Sequence, residues 1–224
     1  PTTEEFKAVY EMWKNWKSFQ KNTNVLPANN KFMNESSISS TLIMQPQYRN
    51  RHSYMIFGGY LLRQTFELAY CASSAFLYAS PRFVSLDSTT FKNPVPAGSV
   101  LSMNAIIVYT EHLHSKNITE LDPDSPFDFF LPPTNKVSPD LPGFLNELGT
   151  LIQVKVDTTT RELQGTEVKE AGSFIYSFFV PLAAVEGEPK YPTVIPRTYT
   201  EMMDYIEGRR RAEDTAHYVQ TLNL

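Results

Sequence analysis

The residues with the clearest chemical potential lie in one stretch, where Gly58 and Gly59 open a helix-like segment. Adjacent glycines let another group approach the backbone closely or allow a positive φ. The first N–H groups of a helix lack intrahelical partners and carry partial positive charge, so these two amides could stabilise a developing negative charge. A core helix with a tight entry turn explains the same pattern.

The segment that follows predicts a buried helix with a single carboxylate. It runs to Ser80 without Gly or Pro, and its apolar residues cover so much of the circumference that most sides should be buried. A charge midway along such a helix is costly unless it is paired or used, so Glu67 is either a catalytic base or an ion-pair partner of Arg63. Cys71 is expected to be a small buried hydrophobic residue.

The elements around this helix indicate an α+β fold. Thr2 with Glu5 and Thr198 with Glu201 match capping boxes, which predict an amphipathic helix over 2–19 and a helix from Thr198 to about Arg211. Apolar runs bounded by turn residues predict strands at 41–44, 82–91, 100–110, 148–160 and 172–180. This order describes an antiparallel sheet wrapped around one central helix.

The chain divides into three parts by composition. Residues 1–37 form a linker with the amphipathic helix, 38–190 the main domain, and 191–224 a C-terminal helical extension. Within the main domain, 116–147 is a Pro-rich, acidic insertion that is too long for a hairpin turn and is predicted to be a surface excursion.

Charge, hydropathy and missing motifs argue against several classes of function. The net charge of −4 without a basic stripe argues against a nucleic-acid partner, and no apolar run has the length of a membrane span. His112 and His114 have no further ligand nearby, so we predict no metal site. A serine-hydrolase route is not expected, because no Gly-x-Ser-x-Gly motif is present. Since the sequence begins with Pro1, we expect a processed chain or a fragment, with any targeting segment outside it.

Several stretches resemble a known family. Residues 56–63, 66–69 and 86–101 resemble the hotdog fold of acyl-CoA thioesterases. Residues 45–50 and 196–201 are similar to the C-terminal half of the mitochondrial acyl-coenzyme A thioesterase 9 type, in which two hotdog domains are joined in one chain. The resemblance implies a hotdog domain in the mitochondrial matrix, an acyl-CoA substrate, no cofactor, and a second hotdog unit, either an N-terminal half or another copy.

The resemblance also assigns catalytic residues. Asn50 matches a loop asparagine that positions water together with a helix carboxylate from the opposite hotdog, and the amides of Gly58 and Gly59 would polarise the thioester carbonyl. Phe66 stands where many hotdog thioesterases have an acid, and Glu67 is turned from that position by about 100°. If Glu67 is misplaced, the other unit supplies the acid.

The remaining assignments concern substrate contacts and alternative functions. Arg49, Arg51, Arg63 and Lys92 are candidates to meet the CoA phosphates, although surface solubility explains these basic residues equally well. Asp87 is expected to be structural. Hydrolysis of acyl-CoA is the main prediction. A non-catalytic hotdog that acts as a scaffold subunit is the alternative, whereas a dehydratase is disfavoured because no His lies near the central helix.

Overall fold

A computed structural model describes residues 2–22, 30–51, 54–113, 137–181 and 192–221. The helices are α1 (Thr3–Asn22), α2 (Gly58–Leu77) and α3 (Tyr199–Thr221). The strands are β1 (Asn30–Phe32), β2 (Ile38–Ile43), β3 (Arg82–Phe91), β4 (Val100–Leu113), β5 (Gly149–Arg161), β6 (Val168–Pro181) and β7 (Thr193–Ile195).

The main sheet is antiparallel and has the strand order β2-β4-β5-β6-β3, while β1 and β7 form a separate parallel pair. The predicted α+β architecture, a long antiparallel sheet around one central helix, is confirmed. The long central strands β4, β5 and β6 carry the buried core, and β2 and β3 lie at the two edges of the sheet.

Helix α2 packs on one face of this sheet. The Thr65 hydroxyl, fully buried on α2, lies 2.7 Å from the Tyr176 hydroxyl of β6, and this contact ties the helix to the sheet. One row of the helix nevertheless faces solvent, because residues four positions apart share a side and this side points away from the sheet. The exposed row comprises Gly59, Arg63, Glu67, Cys71 and Ala75. The prediction of a buried Cys71 is therefore wrong.

Helix α3 covers the opposite face of the sheet. The Tyr205 ring packs against Tyr109 with centroids 4.9 Å apart, and a Cβ on Gly208 would lie 2.5 Å from the Tyr109 Cβ. Gly208 therefore lets the helix backbone approach the sheet. The helix was predicted to end near Arg211 but continues to Thr221, because its later turns also bury side chains such as Ala212 against the protein.

Both predicted capping boxes form, and α1 docks on α3. The Thr2 N–H donates to the Glu5 carboxylate, and the Glu5 N–H donates to the Thr2 hydroxyl. The Glu5 carboxylate also binds Arg210 of α3 at 2.7 Å. Among the predicted insertion residues, 116–136 lie outside the described residues, whereas Phe144 and Leu145 near its end are buried. No helix in the described ranges has the length and hydropathy that crossing a bilayer requires.

Candidate active site

The loop before α2 is held in a hairpin-like shape that places Asn50 beside the start of the helix. Arg49 pairs with Ile56 in an isolated bridge, and the Asn50 N–H donates to the Met55 carbonyl at 2.7 Å. The loop is anchored in turn to the segment after β3, because the Ile56 N–H donates to the Val95 carbonyl at 2.8 Å. His52 in this loop lies outside the described residues.

The N-terminus of α2 offers two free amides. Phe57 is the N-cap residue with an extended backbone, and no side chain of the described residues caps the helix. The N–H groups of Tyr60 and Leu61 donate to the Phe57 carbonyl. Within the described part of the chain, the N–H groups of Gly58 and Gly59 have no acceptor. Together with the helix dipole, they form a partially positive site for an oxyanion.

The two glycines have different neighbours. A Cβ on Gly58 would lie 3.5 Å from the Phe91 ring, an ordinary van der Waals contact. A Cβ on Gly59 would lie 2.5 Å from Cε1 of Phe57, because the Phe57 ring folds back against the first turn of α2. Gly59 therefore makes room for Phe57, a side chain that itself remains 57% exposed.

A surface depression of about 470 Å³ opens beside these amides. It has aromatic and cationic walls, and the rings of Tyr48 and Tyr60 stack with centroids 3.9 Å apart. Burial raises the pKa of the Tyr60 hydroxyl, which keeps it protonated at neutral pH. The lining residues are Gln47, Tyr48, Arg49, Asn50, Arg51, Phe57 and Tyr60.

The four basic residues that were predicted to contact CoA form two pairs with different surroundings. Arg49 and Arg51 line the depression, and neither forms an ion pair with another described residue. Arg63 is bound to Glu67, and Lys92 is bound to Glu170. These carboxylates raise the pKa of both Arg63 and Lys92 and partly neutralise their charge. The depression thus brings together Arg49, Arg51 and Asn50.

Glu67 lies away from the depression. Its carboxylate is 2.8 Å from Nε of Arg63, and both side chains are more than half exposed. Since it stands nine positions after Gly58, it is about 13 Å further along the helix axis. The premise that Glu67 is a buried charge is wrong, because it belongs to the exposed row. The structure shows the ion pair with Arg63, and a catalytic role for Glu67 stays a prediction.

Phe66 belongs to an aromatic cluster between α2 and the sheet. Its ring centroid lies 5.4 Å from Phe83, 5.8 Å from Tyr176 and 5.8 Å from Phe178. An acid here would be placed among aromatic rings, which disfavour an unpaired charge. Sequence reasoning missed this cluster, although Phe66 with Tyr70 at i+4 and the alternation of Tyr176 with Phe178 are signals of it.

Asp87 of β3 connects the sheet to α3. Its carboxylate accepts hydrogen bonds from Ser85, Ser177 and Thr215. Burial raises the pKa of Asp87, although these hydrogen bonds and Arg211 act in the opposite direction. The environment is that of a structural carboxylate on the face opposite α2.

No metal centre is found in the described ranges, where no three His, Cys, Asp or Glu side chains cluster suitably. His112 lies between two hydroxyls, with Nδ1 3.0 Å from Thr150 Oγ1 and Nε2 2.6 Å from Thr193 Oγ1. Its ring is thus engaged in hydrogen bonds that tie β4, β5 and β7 together. His114 lies outside the described residues.

Comparison with known sequences identifies relatives over most of the chain. It is 30% identical over 213 residues to mitochondrial acyl-coenzyme A thioesterase 9 of Bos taurus, and 27% identical to its Homo sapiens counterpart. Each match covers 94% of this chain but 38% of the relative, so the chain spans well under half the length of these proteins. A chloroplastic acyl-coenzyme A thioesterase 2 of Humulus lupulus is 30% identical over 75% of the chain. No protein-family profile matches the chain.

Solved structures share the fold. The acyl-CoA hydrolase of Staphylococcus aureus in complex with butyryl coenzyme A and coenzyme A has a TM-score of 0.58 and 21% identity over 87% of this chain and 95% of that one. The acyl-CoA hydrolase of Bacillus cereus has a TM-score of 0.59 and 22% identity over 83% and 89%. The chain therefore has the hotdog fold and is related, over 94% of its length, to a part of the mitochondrial acyl-coenzyme A thioesterases.

Proposed function

We propose that this chain is one hotdog unit of an acyl-CoA thioesterase, which hydrolyses an acyl-CoA thioester to the free acid and CoA. The observation that carries the proposal is the pair of Gly58 and Gly59 amides, without an acceptor in the described structure, beside a depression that contains Asn50. The related proteins, which are named as acyl-coenzyme A thioesterases, support the same reaction.

The proposed chemistry is attack of water on the thioester carbonyl. The amides of Gly58 and Gly59 stabilise the oxyanion that forms as the water oxygen bonds to the carbonyl carbon. The Asn50 side-chain oxygen accepts a hydrogen bond from that water and orients it. An amide cannot take the proton, so a carboxylate must accept it and pass it to the sulfur as the carbon–sulfur bond breaks and CoA leaves.

We propose that this carboxylate comes from a second hotdog unit, either an N-terminal half or another copy. Within the chain, Glu67 is about 13 Å along the helix from Gly58, too far to share a water molecule with it. Glu67 lies on the exposed row of α2, as a residue that serves the site of an opposite unit must. A solved structure of the same fold, described as a hexameric acyl-CoA thioesterase, is consistent with assembly of such units.

The second unit is proposed to dock beside β3. This strand is at the edge of the sheet, and an edge strand presents backbone groups that another strand can pair with. Phe83, Leu86 and Phe91 on it are 52%, 39% and 51% exposed. Burying this apolar edge against a second unit would also bring the neighbouring exposed row of α2 toward that unit.

Arg49 and Arg51 are proposed to meet the CoA phosphates. They line the depression, and its lining contains no Asp or Glu. Arg63 and Lys92 are weaker candidates because each is held by a carboxylate. The substrate itself brings the CoA group, so the proposed reaction uses no separate cofactor. We also propose a mitochondrial, matrix location, based on relatives that are named as mitochondrial.

Thiol release from a panel of acyl-CoA esters tests the proposal. The chain is assayed alone and with a second hotdog unit, and Asn50→Ala is compared with Asn146→Ala, an exposed asparagine outside the depression. Loss of turnover in Asn50→Ala with full turnover in Asn146→Ala is expected. Equal activity of both variants would refute the role of Asn50, and no turnover in any preparation would refute the reaction.

A non-catalytic hotdog that acts as a scaffold subunit is the second candidate. The observation that favours it is the placement of Phe66 within an aromatic cluster and of Glu67 away from the depression, so that no acid of the described residues lines the depression. A scaffold need not bind acyl-CoA. An increase in melting temperature with acyl-CoA, as binding to the folded state requires, would argue against it.

A further inference from the structure

One side of α1 carries a row of exposed aromatic side chains. Phe6, Tyr10 and Trp13 are 52%, 62% and 46% exposed, and the Tyr10 and Trp13 rings stack with centroids 6.0 Å apart. Spacings of four and three residues place all three on the same side of the helix. The helix docks on the protein through a different side, where Val9 and Met12 are buried. The row is therefore not needed to hold α1 in place.

Lysines flank this aromatic row. At roughly 100° per residue, one of four lysines falls on the row and the other three lie about 50–90° from its centre, on the side away from the buried face. One of them, Lys17, lies over the Trp13 ring with Nζ 5.8 Å from the centroid. All four are exposed, and none forms an ion pair within the described ranges. They are Lys7, Lys14, Lys17 and Lys21.

The acidic residues of α1 are placed elsewhere. Glu5 is turned toward α3, where it binds Arg210 at 2.7 Å. Glu4 and Glu11 fall beyond the lysines, about 130–150° from the centre of the aromatic row. The exposed surface of α1 is therefore segregated into an aromatic row and a cationic band, although the chain as a whole has a net charge of −4.

We propose that α1 docks the protein on an anionic lipid surface, with Phe6, Tyr10 and Trp13 entering the headgroup region. Tyr and Trp rings favour this region because one end is apolar and the other forms hydrogen bonds to water. The lysines beside the row attract lipid phosphates, and an amphipathic helix with this division lies in the plane of the interface. The proposal is independent of the proposed reaction, because it concerns a surface formed by α1 and not the depression at α2.

Vesicle co-sedimentation of the full-length protein tests this proposal. Vesicles of phosphatidylcholine alone are compared with vesicles that also contain phosphatidylglycerol, at low and high salt. Binding is expected to the anionic vesicles and to weaken with salt. Lys14→Gln should lower that affinity about fivefold, as expected for one lysine near a charged bilayer. Trp13→Ser should lower it at both salt concentrations.

Two control variants lie at the connection of β5 and β6, Leu163 in the turn and Lys169 at the start of β6. Leu163→Ser removes an apolar side chain that is 59% exposed, and Lys169→Gln removes an exposed lysine; both should bind as the parent does. Unchanged melting temperatures confirm that all variants fold. Absent binding, equal binding to neutral and anionic vesicles, or equal losses in the controls would overturn the proposal. Shielding of Trp13 by a protein partner instead of lipid would also overturn it.

Discussion

The packing of Phe57 against Gly59 predicts a steric coupling that can be measured. Gly59→Ala places a Cβ 2.5 Å from Cε1 of Phe57, closer than real Cβ contacts, so the ring must move. Phe57→Ala removes that ring. Gly58→Ala is the matched control, because its Cβ would meet the Phe91 ring at 3.5 Å without displacing it. Each glycine change is made with and without Phe57→Ala.

The expected free energies follow from two opposing effects at Gly59. Ala in place of Gly favours the helix by up to about 1 kcal/mol, and less in the first turn. Moving the Phe57 ring off its rotamer costs about 0.5–1.5 kcal/mol. Gly59→Ala alone should therefore change the free energy of unfolding little or lower it. Without the ring, the same change should raise it by about 0.5–1 kcal/mol.

Urea unfolding of the four proteins in each cycle provides the measurement. The Gly59 cycle should show a coupling of about 1 kcal/mol, whereas the Gly58 cycle should be additive within about 0.3–0.5 kcal/mol. Additivity in the Gly59 cycle would show that Phe57 does not occupy the space beside Gly59. Coupling of equal size in both cycles would indicate a general effect of Phe57 on α2 and would refute the steric argument.

Three further predictions concern polar groups away from Gly59. Gln153→Leu should raise the free energy of unfolding by about 1–3 kcal/mol, because both amide atoms are buried and have no hydrogen-bond partner among the described residues; destabilisation in urea would contradict this. Burial raises the pKa of Asp87 in the folded state, so protonation of Asp87 favours folding. This stabilisation is fully present below the pKa of the unfolded state. It is lost as the pH rises through the raised pKa of the folded state. Asp87→Asn should therefore gain stability relative to the parent in urea unfolding as the pH rises above the unfolded-state pKa of about 4, and a pH-independent difference would refute the sign. Glu67→Ala should leave the melting temperature nearly unchanged, because its ion pair with Arg63 is exposed, and a large decrease would show that Glu67 is structurally important.

Local sequence patterns predicted the secondary structure closely where the bounds of an element depend only on residues close in sequence. Strand β3 has the predicted bounds, Arg82–Phe91, and α2 begins at the predicted Gly58. Capping boxes at Thr2 and Thr198 form because their hydrogen bonds join residues three positions apart and need no distant partner. The predicted end of α3 was wrong because packing on the sheet stabilises the last turns of this helix. Residues close in sequence do not indicate such packing.

In the candidate site as well, the features that depend on local sequence were the predictable ones. Adjacent glycines at the start of an apolar helix predict free amides from sequence alone, because helix termini leave their first N–H groups unpaired whatever the tertiary structure.

The division of the chain into 1–37, 38–190 and 191–224 stays a prediction.

The sequence by itself determined the α+β architecture of an antiparallel sheet around one central helix, since alternation, helical periodicity and caps are local properties. Only the tertiary structure decided that Glu67 and Cys71 face solvent, that Phe66 joins an aromatic cluster, and that the Phe57 ring fills the space beside Gly59. Composition shows how much of a helix is apolar, but the sheet against which it packs selects which side is covered.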